Sequence, residues 1–84
     1  MEYTKKLVYL SNQWYNDGLK KANIRDLSGA IISLKKSLQY NRDNIAARNL
    51  LGLVYYGRGE VAEALVEWII SKNIKSHENI ADYY

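Results

Sequence analysis

Apolar residues recur every three or four positions along almost the whole chain, the period of an α-helix with one buried face. Tyr3, Leu7, Leu10 and Trp14 fall at steps of four, three and four, and Gly18 and Ala22 extend the line. The spacing predicts a helix from about Glu2 to Ala22. Asn23-Ile24-Arg25 is a short connection. Asp26 stands where its carboxylate can accept from the free amides of the next turn, so it predicts an N-cap. Leu27, Ala30, Ile31, Leu34 and Leu38 form a second stripe, and Asn41-Arg42-Asp43-Asn44 reads as a polar turn with a cap. Ala47, Leu50, Leu51, Val54 and Tyr55 form the third stripe, which Gly57-Arg58-Gly59 interrupts. Val61, Ala64, Leu65, Trp68 and Ile69 form the fourth. The polar run from Asn73 to Glu78 predicts a break. Ile80, Ala81 and Tyr84 then predict a short fifth helix beginning near Glu78. Connections this short make consecutive helices antiparallel, so the expected fold is all-α, a tandem of helix hairpins.

The hairpins read as copies of one another. An ungapped shift of 34 residues brings Gly18 onto Gly52, Leu19 onto Leu53, Ala30 onto Ala64 and Ser37 onto Ser71. It also brings Asp26 onto Glu60, Leu27 onto Val61 and Leu34 onto Trp68. Glycine inside a helix costs about 1 kcal/mol against alanine. Two glycines at one place in the period therefore point to a close approach between the paired helices.

On these residues the chain resembles the tetratricopeptide repeat family, a 34-residue helix-turn-helix with the pattern W-x2-L-G-x2-Y, A-x3-F and P. The first unit has Trp14, Gly18, Ala30 and Leu34 in those slots, and the second has Leu51, Gly52, Tyr55, Ala64 and Trp68. The stretch YYGRGEVAEAL, Tyr55 to Leu65, is the most specific piece. Asp17, Lys21 and Arg48 depart from the pattern where it has apolar or aromatic residues, and Arg42 and Ser76 where it has proline. The 84-residue length predicts a single small domain, which the resemblance divides. Residues 1–10 would be a helical extension, 11–44 the first repeat, 45–78 the second, and 79–84 the start of a capping or third-repeat helix. The resemblance also implies an α–α solenoid, a right-handed superhelix with a concave face.

In the family the first helix of each pair lines the concave groove, which commonly holds a peptide or a partner's helix. Carried over by helical face, that groove would present Asn12, Tyr15, Leu19 and Asn23 from the first unit and Asn49, Leu53 and Tyr56 from the second. Tyrosine offers area, a hydroxyl and few rotors, and the Asn12 and Asn49 amides suit a peptide backbone. These positions carry no Lys or Arg, which argues against a clamp for a partner's terminal carboxylate. The opposite side holds a second expectation. Lys35 and Lys36 of the first unit correspond to Ile69 and Ile70 of the second. Two isoleucines facing water predict a cover: the fifth helix, a continuation of the chain in a larger protein, or a second copy in a homodimer. The extra turns carrying Tyr3, Leu7 and Leu10 would cap the first unit or reach toward a neighbour.

Composition narrows the chemistry. The 84 residues include no Cys and one His, which excludes a disulfide framework, a thiolate nucleophile and most metal sites. Hydrophobic residues are 48%, a globular rather than disordered balance, yet no apolar run approaches the ~20 residues of a membrane span. A cytoplasmic protein without cofactor or metal is the expectation, and not an enzyme. His77 sits alone in a polar stretch. Glu60, Glu63 and Glu67 share a stripe expected to be a solvated face near a helix start. Asp17 either turns outward or lies in a helix seam beside Lys20, Lys21 or Arg48. Gly57-Arg58-Gly59 lacks the residues of a phosphate-binding loop. Residues 1–42 carry eight Lys and Arg against three acids, and residues 43–84 four against six. Lys20, Lys21, Arg25, Lys35 and Lys36, with Tyr40 nearby, are the basis for a nucleic-acid reading. The acids of the second half and the lack of aromatic interleaving among the five cations weigh against it, so a protein partner is the leading expectation.

Overall fold

A computed structural model describes residues 2–83, with side chains described for residues 2–76. Four helices follow one another: α1 (Glu2–Asn23), α2 (Leu27–Tyr40), α3 (Ile45–Gly57) and α4 (Val61–Tyr83). α1 packs on α2 and α3 on α4, giving two antiparallel hairpins joined through the α2–α3 contact. The fold is all-α, as the apolar period predicts.

The two hairpin turns share their closing hydrogen bonds. The N–H of Arg25 bonds to the carbonyl of Ala22, and that of Asp26 to Lys21. Thirty-four residues on, Gly59 bonds to Tyr56 and Glu60 to Tyr55. Each pair closes its helix through a left-handed residue, Arg25 at φ +66° and Gly59 at φ +84°. Asp26 then caps α2 by accepting from the Gly29 amide at 3.0 Å.

The close approaches also repeat. A Cβ on Gly18 would lie 2.7 Å from Leu34 Cγ, and one on Gly52 would lie 2.7 Å from Trp68 Cδ1. Each glycine therefore makes room for the side chain that stands at the same place in the opposite helix. Ala30 and Ala64 are fully buried beside them. Leu34, Ile31, Ala47, Leu51, Val54 and Tyr55 complete a core shared by both hairpins.

Three expectations need correction. α4 runs unbroken through residues 73–78, so the separate fifth helix does not form. That run is polar but holds neither Gly nor Pro, and polarity alone exposes a helix without ending it. A straight continuation does not fold back over Ile69 and Ile70. In the stripe from Tyr3 to Ala22 only Tyr3 falls outside the packing: it is exposed, whereas Leu7, Leu10, Trp14 and Ala22 are half-buried and Gly18 is buried, with Ser11 buried on the same face. Finally, Glu67 leaves the acidic stripe, because Arg48 holds it at 2.8 Å with both side chains 12–14% exposed. Tyr84 and the side chains of His77, Ile80 and Ala81 lie outside what the structure describes.

Candidate protein-interaction surface

An open hollow of about 480 Å³ lies where the two hairpins meet. α1 supplies Leu19, Ala22 and Asn23, the first turn supplies Arg25, and α2 supplies Leu27. α3 supplies Leu50, Leu53, Val54, Tyr56 and Gly57. Leu53 and Tyr56 remain 60% and 57% exposed, a large apolar area for a helix that is otherwise well covered. The Tyr56 ring leans toward Trp68 at a centroid distance of 6.1 Å, which restrains it from behind.

α3 follows α2 across a four-residue turn, residues 41–44, whose last residue is fixed. Asn44 caps α3 by accepting from the Ala47 amide at 3.1 Å. Its amide group donates to Ser11 Oγ at 2.9 Å and to Asn12 Oδ1 at 3.1 Å. Ser11 and Ser37 donate reciprocally to each other's carbonyls, at 2.8 and 2.7 Å. These buried groups satisfy one another across three helices, and so set where α3 starts relative to α1. Arg48 strengthens the same placement. Its Nε donates to the Arg42 carbonyl while its guanidinium holds Glu67 on α4.

Four of the seven groove positions expected from the sequence, Leu19, Asn23, Leu53 and Tyr56, come together around this hollow. Tyr15 is half-buried and packs against the core. Asn12 and Asn49 lie outside the lining. Their side-chain oxygens are already engaged, Asn12 by Asn44 and Asn49 by Ser71 Oγ at 2.6 Å. Sequence reasoning missed Ala22, Arg25, Leu27, Leu50, Val54 and Gly57. The 34-residue shift held a clue, since it pairs Leu19 with Leu53 and Ala22 with Tyr56.

The charged residues resolve into local pairs. Asp17 accepts from Lys21 at 2.8 Å and from Ser33 at 2.6 Å, and Lys21 also reaches Ser33. The hydrogen bond from Lys21, then that from Ser33, hold the Asp17 carboxyl below its ordinary value. Lys36 lies 4.8 Å from the centre of the Trp14 ring. Two of the five cations of the basic cluster are thus engaged within the protein. On the other side Ile69 is 58% exposed and Ile70 half-buried. Among the described residues no three His, Asp or Glu gather as metal ligands, and no helix is long and apolar enough to cross a membrane.

The chain is similar to the BBSome complex member bbs-4 of Caenorhabditis elegans, with 48% identity over 42 residues. The matched stretch is 50% of this chain and 9% of that protein. No protein-family model matches the chain, and no solved structure matches it.

Proposed function

We propose that this chain is a non-catalytic protein-interaction module of two tetratricopeptide-like repeats, residues 11–44 and 45–78, which takes a partner's apolar side chains into the hollow between the hairpins. The observation that carries the reading is the hollow itself, with Leu53 and Tyr56 exposed on its rim over an apolar floor. Exposed apolar patches of this kind mark contacts, and Ala47, Leu51, Val54 and Tyr55 of α3 are used for packing. The similarity to a member of a protein complex supports a protein partner rather than a substrate. The recurring turn and glycine contacts, 34 residues apart, support the repeat assignment.

The test is a selection of displayed short peptides on the intact chain. Bound peptides are expected to lose affinity on Leu53→Ala and Tyr56→Ala, with the melting temperature held. Binders indifferent to both variants would place the interaction elsewhere. Retention on heparin that falls steeply with salt would instead favour the basic cluster and nucleic acid.

A further inference from the structure

Among the described residues the lining of the hollow holds one charge. Arg25 is exposed at its edge, and no Asp or Glu belongs to the lining. The ion pairs of the described residues join Lys21 to Asp17, Arg48 to Glu67 and Arg58 to Glu60, which leaves Arg25 without a carboxylate. Its neighbour Asp26 is committed to the Gly29 amide as the cap of α2. Nor is the Arg25 side chain needed to finish α1. The carbonyls of Lys20, Lys21 and Ala22 already accept from the amides of Ile24, Asp26 and Arg25.

The two turns treat their arginines differently. The 34-residue register sets Arg25 on Gly59, and both stand in the left-handed region, at φ +66° and +84°. Glycine reaches that region freely, while an L side chain is crowded there. The second turn places its arginine, Arg58, one residue before the glycine and closes it on Glu60 at 3.0 Å. The first turn sets a cation where the backbone disfavours any side chain, and gives it no partner. Backbone strain of this kind persists where the surroundings or a function hold it.

A guanidinium beside an apolar floor suits an apolar side chain with a carboxylate next to it. Its fork can hold a carboxylate in two parallel bonds, and partial exclusion of water strengthens the pair relative to one on open surface. The other polar side chains of the lining, Asn23 and Tyr56, are neutral at pH 7. The hollow is open across both hairpins, which suits a segment passing over it more than a chain end. α4 leads away from this end for 23 residues, roughly 35 Å, so the segment best placed to enter is a partner's.

We infer that Arg25 selects the occupant of the hollow, a partner segment in which an Asp or Glu side chain lies beside the apolar anchor. The inference rests on the proposed function, since it names the chemistry of the ligand at the same hollow.

The probes are pools of short peptides with blocked ends and a central leucine, made in matched pairs that differ by one Glu or Gln. Binding to the intact chain is read by fluorescence anisotropy. The Glu member of a binding pair should bind about fivefold or more tightly than the Gln member. Arg25→Gly should reduce that preference below about twofold with the melting temperature kept, the loss appearing as coupling in a double-mutant cycle. Arg25→Lys should keep part of the preference, the charge without the fork. Lys20→Gln, an exposed cation outside the lining, should keep all of it. Binders with no Glu preference would overturn the inference and leave the proposed function standing. So would a preference that survives Arg25→Gly, or one that Lys20→Gln removes equally. A preference for an unblocked C-terminus over the internal Glu would make the ligand a chain end, and would overturn it also. No binder in any pool would overturn both readings.

Discussion

Arg25 and Gly59 hold the same place, the left-handed residue that closes the first helix of each hairpin. An L side chain there crowds its own backbone by about 1 kcal/mol, while glycine does not. Arg25→Gly should therefore raise stability by about 0.5 kcal/mol, the relief being partly offset by a freer unfolded chain. The check is a higher urea midpoint at unchanged slope. Asp17 makes the second prediction. Its carboxyl titrates lower in the folded protein than in the unfolded one, because Lys21 and Ser33 bond to the charged form. The stability this gives is present above the ordinary Asp value and is lost as pH falls through the lowered folded value. Asp17→Asn should flatten that part of the acid limb, measured as urea midpoints from neutral pH down to about pH 2. The sequence left Asp17 open between seam and solvent. Ser33, sixteen residues away and brought across by the α1–α2 contact, decided it.

Helices are fixed by their ends as much as by their stripes. Asn44 is the N-cap of α3 and the donor to Ser11 and Asn12 at once. Asn44→Ala removes the cap and leaves the buried Ser11 hydroxyl with one partner fewer. A loss of about 2 kcal/mol is expected, measured by urea unfolding, against about 1 kcal/mol for a cap alone. A smaller loss would mean water replaces the amide. Helix starts at Leu27 and Ile45 and the stop at Gly57 were legible, because Asp, Asn and Gly act on the backbone within one turn. The course of α4 past residue 73 was not. A polar stretch and a broken stretch look alike until a Gly or Pro separates them.

The hairpins act as one body because α3 belongs to both halves of the core. Trp68 fills the notch at Gly52 and donates to the Asn49 carbonyl at 3.4 Å. Trp68→Ala should cost about 3 kcal/mol, with a single unfolding transition throughout. Leu53→Ala, on the rim of the hollow, should cost less than about 1 kcal/mol and act on binding instead. Thermal melts of both variants check the pair, and an unfolded Leu53→Ala would move Leu53 into the core and out of the interaction surface. By itself the sequence determined four apolar stripes, the hairpin order and the 34-residue register, since these depend on neighbours within a few turns. Only the tertiary structure decided that Ser11 and Asn44 lie inside, that Glu67 belongs to Arg48, and that the hollow opens between Leu19 and Leu53. Polar groups enter a core only when each finds its partner, and here the partners stand 19 to 33 residues apart along the chain.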